Sequence, residues 1–315
     1  MKKPLLVCFF ILNWAYSNAQ QYFNDTLWFN ATYYSIIGMV YPTDSGTYVV
    51  CEKGNLSTGT VSGLVLGFVD TNGLKRIVYE DLDIHNDQKV SASNYNLFLN
   101  QDSNFVIAYA NKEQGVGQYP RIKEISPQGI VLHDVRLDTV LTDLHYGILD
   151  FTKLVQRKTD SSYWLFSTTA LDLSLPSNDQ RTGVLLTILN TDFSIDTIRF
   201  YYFDPLHTYG YFYQDGVEVE NDRFAMLMSR EKQFANPDNN LYRLFLYYLD
   251  ADGNIIESYN YSAQEKTGNP RSVIRGLDTN SFVMPITQTY TENGVFFGYS
   301  YLAMFNNQLN LLWCT

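Results

Sequence analysis

Apolar and polar residues alternate in short runs along this chain, and two such runs return at a near-constant interval. The first is a small polar turn followed by an aromatic strand. It reads DSGTYVVCE (44–52), DSNFVIAYA (102–110), DSSYWLFST (160–168), NDRFAMLMS (221–229) and DTNSFVMPI (278–286). Its anchoring aromatics are Tyr48, Phe105, Tyr163, Phe224 and Phe282, spaced 57, 58, 61 and 58 residues apart. The second run is apolar, then a turn, then apolar again. Its copies are LVLGFVDTNGLKRIVYEDL (64–82), RIKEISPQGIVLHDVRL (121–137), VLLTILNTDFSIDTIRFYY (184–202), YRLFLYYLDADGNIIESYNY (242–261) and YLAMFNNQLNLLWCT (301–315). The turns open at Asp70, Ser126, Asn190, Asp250 and Asn306, spaced 56, 64, 60 and 56. Two independent markers that keep one period imply a repeat of one supersecondary unit.

The period-two alternation and the β-branched and aromatic residues make each unit a set of strands. Four are expected per unit. The first, such as YYSIIGMVY (33–41) or SVIRGL (272–277), runs into the aromatic second strand. The third and fourth flank the second turn. The two turns carry Asp, Asn, Ser and Gly and suit tight hairpins. The other connections are longer, roughly ten residues each. Four antiparallel strands per repeat predict an all-β fold, a β-propeller of about five blades. A β-solenoid is the alternative, with shorter coils and parallel pairing. The expected repeats are 33–82, 95–137, 148–202, 212–262 and 272–315, within a single domain over 20–315. Trp28 of NDTLWFN (24–30) and Trp313 hold the same fourth-strand position, 285 residues and five periods of 57 apart. Residues 24–30 are therefore expected to be an extra outer strand. Either the last blade uses its own fourth strand and 24–30 pack elsewhere, or the ring includes more chain than this.

The order apolar strand, Asp-x-Gly/Asn-aromatic strand, link, apolar strand, Asp-x-x-Gly, Leu-Trp resembles the tandem-repeat β-propellers secreted by Bacteroidota. The resemblance covers about residues 25–315 and implies a propeller and export rather than any particular activity. That family often ends in a small C-terminal domain for type IX secretion. No such segment follows the last strand, so that feature is absent or lies beyond this chain. The family's Gly-Gly before the aromatic is eroded here to Ser45-Gly46, Ser103-Asn104 and Ser161-Ser162.

The N-terminus adds a location. Lys2 and Lys3 precede the mostly apolar residues 4–17, and Ser17-Asn18-Ala19 places small side chains where a signal peptidase cuts. A signal peptide over 1–19 is expected, and an exported chain of 296 residues, extracellular, at the cell surface or in the periplasm. The apolar stretch falls short of the roughly 20 residues that span a bilayer, so the chain is not expected to be membrane-spanning. Removal of two lysines takes the net charge from −11 to −13. Such an acidic chain repels phosphate backbones, so no nucleic acid is expected as partner. Cys51 and Cys314 remain in the exported chain. They could pair in an oxidising compartment, but both sit in apolar strands and read as buried thiols.

Candidate chemistry falls on the longer links. Those between repeats are expected at 83–94, 138–147, 203–212 and 263–271, and they bring His85, His145, Tyr146, His207, Tyr209 and Tyr211 onto or beside one face. That face is the expected ligand surface, for a carbohydrate or a protein. The same residues are also ordinary solvated loop positions in a chain with 25 Tyr. No paired His spacing suggests a metal, and no cofactor is expected. Asp250-Ala-Asp252-Gly253-Asn254 resembles the start of a calcium loop, but Tyr261 stands where the last carboxylate ligand belongs, so a structural turn is expected. No nucleophile elbow, metalloprotease motif or phosphate loop is present. The expected function is therefore a non-enzymatic binding or scaffold module. The alternative is a glycan-cleaving hydrolase with carboxylates in the central channel, for which Asp150, Asp215, Glu218 and Glu220 are the candidates.

Overall fold

A computed structural model describes residues 33–55, 61–81, 89–90, 96–113, 117–138, 146–171, 181–202, 209–219, 223–232, 243–261, 275–278, 281–292, 295–306, 308 and 310–314. The chain forms two compact units, Met1–Asn86 and Asp87–Thr315. In the first unit β1 (Tyr33–Thr43), β2 (Gly46–Asn55), β3 (Val61–Asp70) and β4 (Lys75–Glu80) form one antiparallel sheet in that order. Its buried centre includes Val49, Cys51 and Val65.

The second unit holds four sheets. In the first of these, β5 (Lys89–Val90) and β6 (Asn96–Leu99) both pair with β7 (Phe105–Glu113). β8 (Gly117–Ile125) and β9 (Val131–Arg136) complete it. The next sheet runs β10 (Tyr146–Gln156), β11 (Tyr163–Leu171), β12 (Arg181–Leu189) and β13 (Ile195–Tyr201). It is followed by β14 (Tyr209–Glu218), β15 (Phe224–Lys232), β16 (Arg243–Leu249) and β17 (Ile255–Tyr261). The last consists of β18 (Arg275–Asp278), β19 (Ser281–Glu292), β20 (Val295–Asn306) and β21 (Leu311–Cys314). Residues 24–30 lie outside the described residues.

The five second turns share one construction. At each opening residue the backbone N–H donates to the carbonyl four residues on, at 2.8 to 3.1 Å. In four of the five the side chain of that residue then accepts from the turn, whereas in the third Asn190 Nδ2 donates to Ser194 Oγ at 2.9 Å and Asp192 Oδ1 accepts the Ser194 N–H at 3.0 Å. Asp70 Oδ1 takes the N–H of Asn72 and Leu74, Asn306 Oδ1 those of Gln308 and Asn310, and Ser126 Oγ that of Ile130. This is the three-residue hairpin with a left-handed residue in its bulge, which is why glycine recurs there. Gly73, Gly129 and Gly253 have φ of 82, 83 and 80°. The third copy places Phe193 at the same point with φ 63°.

The middle strands are apolar at nearly every position because both of their faces are covered. On β11, Trp164 and Phe166 face Phe224, Met226 and Met228 of β15, whereas Tyr163 and Leu165 face Val106, Ala108 and Ile122 of β7 and β8. Ala225 and Leu227 of β15 face Ala303 and Phe305 of β20 in the same way. Within this unit the first strands lie against each other, β10 with β14 and β14 with β18, and among the described residues the fourth strands make no comparable approach. β10, β14 and β18 are therefore the inner strands of their sheets.

Candidate functional site

The structure assigns strand to part of what the sequence placed in links. Tyr146 opens β10 opposite Leu171, and Tyr209 and Tyr211 belong to β14 opposite Lys232 and Arg230. The inner strands thus extend into the expected links 138–147 and 203–212. Tyrosine is a good strand former. His85, His145, His207 and Glu220 lie outside the described residues.

Three carboxylate candidates fall on the inner strands, and they differ in circumstance. Asp150 lies in β10 where the pairing register with β11 shifts, between Ile148 and Thr152. β14 shifts likewise between Tyr213 and Asp215, and β1 between Ile37 and Met39. Such bulges bend a strand and re-aim its residues, and they are common beside sites. Asp215 is buried, and its Oδ1 lies 3.0 Å from Lys153 Nζ of β10 and accepts the Gly216 N–H at 2.9 Å. An alanine Cβ at Gly216 would stand 2.3 Å from the Phe224 ring, so the local backbone admits only glycine without a shift of that ring. Glu218 accepts the Lys158 N–H at 3.0 and 3.2 Å, at the turn between β10 and β11.

Asp215 and Glu218 therefore tie neighbouring sheets together. A third tie is Tyr201 Oη, which donates to the carbonyl of Gly253 on the far side of the same junction. The ion pair is asymmetric, with the Asp215 side chain 5% exposed and that of Lys153 25%. Lys153→Met would strand a buried carboxylate, whereas Asp215→Asn leaves an ammonium that can turn to water. Urea denaturation should show a loss of about 2 kcal/mol or more for Lys153→Met and a smaller loss for Asp215→Asn.

Other charged groups are bound up in structure. Glu124 accepts from Asn100 and Asn104 at 2.7 and 2.8 Å and pairs with His133 Nδ1 at 2.6 Å. Burial works to raise its carboxyl, but these hydrogen bonds and the His133 charge outweigh burial and hold it below the ordinary 4.5. A lowered folded value contributes stability that is present above the unfolded value and lost as pH falls through the folded one. Glu124→Gln is thus expected to lower Tm near pH 7, with the difference from wild type shrinking as the pH falls below about 4.5. Asp134 is likewise lowered, burial being outweighed by the hydrogen bonds and charges of Arg121 and Lys123. In the calcium-like stretch, Asp250 accepts the N–H groups of Asp252 and Asn254 at 3.0 and 2.7 Å and the Asn254 side chain at 3.0 Å. Its carboxylate builds the turn, as in the Asp70 copy. Cys51 is a free, fully buried thiol, pushed up to about 12 by burial.

The protein-family models and curated proteins compared with the chain include no match. Solved structures do match. An α-L-arabinanase from Penicillium chrysogenum complexed with arabinobiose shares 8% identity at a TM-score of 0.51, over 89% of this chain and 96% of the other. An α-L-arabinofuranosidase from Fusarium graminearum, also with arabinobiose, shares 8% at 0.52, over 88% and 93%. An exo-β-1,3-galactanase from Phanerochaete chrysosporium shares 9% at 0.47, over 84% of this chain, which spans only 59% of that chain's length. The expectation of a non-enzymatic binding or scaffold module is corrected by these likenesses, because the proteins that share the architecture are named as glycan-cleaving enzymes. Near-equal repeats by themselves suit a scaffold. Yet a symmetric framework leaves its inner strands free to differ, as Lys153 and Asp215 do at equivalent positions before their turns. Five antiparallel sheets that follow one another along the chain, and the two likenesses above 0.5, make the fold a β-propeller of five four-stranded blades.

Proposed function

We propose that the chain is a glycan-cleaving hydrolase whose site lies over the inner strands β10 and β14. The carrying observation is that adjoining inner strands bear Asp150, at a bulge, and Asp215, facing an ammonium group. Hydrolysis of a glycosidic bond needs two carboxyl groups. One protonates the leaving oxygen, and the other, as carboxylate, activates water or stabilises the positive sugar. We assign the first role to Asp150 and the second to Asp215. Glu218 is left out, since its carboxylate holds the Lys158 backbone. The fold likeness to enzymes in complex with arabinobiose supports a neutral glycan, and so does the net charge of −11, which disfavours polyanionic sugars.

The Lys2-Lys3 and apolar leader supports export to where such polymers occur, and membership of the Bacteroidota tandem-repeat propellers belongs to the same proposal. Among the described residues no helix is long and apolar enough to cross a membrane. The test is digestion of arabinan, galactan and levan by the purified chain, read as release of reducing sugar. Release from at least one supports the reading, and none from any of them sinks it.

A further inference from the structure

We propose that the hairpin end of the last sheet is an arm that holds the glycan chain, an inference that rests on the glycan reading above. β19 and β20 hold 12 residues each, where the second and third strands of the other sheets hold seven to ten. β18 pairs with β19 up to Val283, and β21 pairs with β20 at Ala303, Met304 and Phe305. Beyond them run eight rungs, from Pro285 opposite Leu302 to Glu292 opposite Val295, that no other strand joins among the described residues. Pro285 stands at the first of these rungs, and proline has no N–H to give a further strand. The ribbon rises about 24 Å at the usual strand spacing. Only Asn293 and Gly294 separate its two strands, a pair that suits the tightest hairpin turn.

Ala225 and Leu227, early in β15, pack with Ala303 and Phe305, late in β20, so these two sheets lie in the same sense. The arm therefore leaves its sheet on the side where β15 ends at Lys232 and β14 begins at Tyr209. That is the side of the links between repeats. Register and strand alternation place Ile286, Gln288 and Tyr290 on one face of the arm, opposite Tyr301, Tyr299 and Phe297. The other face carries Thr287, Thr289 and Thr291. Glu292 is the single charged residue from 285 to 302. An arm of aromatic, amide and hydroxyl groups with almost no charge matches a neutral polymer of hydroxyls and C–H faces. It has no cation to offer a polyanion.

The test is affinity electrophoresis of the wild-type chain and two variants in gels that carry arabinan, galactan or levan. The first variant lacks residues 287–290 and 297–300, which removes four rungs, keeps Asn293 and Gly294 and leaves the alternation of faces unchanged. The second is Tyr290→Thr with Phe297→Thr, which takes an opposed aromatic pair from the arm and keeps residues that favour strands. It decides the matter if the deletion disturbs folding. The wild type should be retarded by at least one polymer, and each variant should bind that polymer about tenfold more weakly or worse. If the variants are retarded as strongly as the wild type, the arm is overturned and the hydrolase reading stands on sugar release. A wild type that no polymer retards also overturns the arm, and if it releases no sugar either, both readings fall.

Discussion

Phe193→Ala is expected to lower the stability of the second unit by about 3–5 kcal/mol, the usual loss for a fully buried aromatic ring. Phe193 is 1% exposed, stacks on Tyr163 at 4.7 Å and meets the His133 ring edge-on at 5.8 Å. It belongs to the cluster that joins the sheets of β7 and β11. Its backbone, however, is left-handed, in the bulge position where three other copies have glycine. Left-handed conformation disfavours any residue with a Cβ by about 1 kcal/mol or more. The ring's packing therefore outweighs a local strain. Phe193→Gly removes ring and strain together, so it should be less damaging than Phe193→Ala by about 1 kcal/mol. Urea denaturation of the two variants separates these contributions. A loss below 1 kcal/mol for Phe193→Ala would show that the ring does not join the sheets.

Asp150→Asn is expected to reduce glycan hydrolysis by about 100-fold or more, the effect of removing a general acid, while leaving Tm within a few degrees. Glu218→Gln is the contrast. Its amide oxygen can still accept the Lys158 N–H, so hydrolysis should stay within a few-fold of wild type. Equal losses in both variants would point to damage at the junction instead of chemistry at Asp150.

The repeat was legible because the same turn must be built five times, and each time it needs a side-chain acceptor. Asp70, Ser126, Asp250 and Asn306 supply it at the opening residue, and Asp192 supplies it in the third copy. The second and third strands were legible from aromatic and aliphatic runs that the sheets bury on both faces, as at Trp164 and Leu165. The inner strands were less so. β10 shifts its register on β11 between Ile148 and Thr152, and β14 on β15 between Tyr213 and Asp215. A bulged strand carries no steady period for the sequence to show. The bonds of Asp215 and Glu218 were hidden for another reason. Lys153 and Asp215 lie 62 positions apart, a separation longer than the repeat itself, and only the packing of neighbouring blades joins them. Phe193 carried a signal that could have been read, a large aromatic where three of the four aligned copies have glycine.

The most direct test of the glycan-cleaving reading is digestion of arabinan, galactan and levan by the purified wild-type chain beside Asp150→Asn. The predicted result is sugar release from at least one polymer by wild type, reduced about 100-fold or more in the variant. A folded wild-type chain that releases nothing from any of the three, or an Asp150→Asn chain as active as wild type, would contradict it.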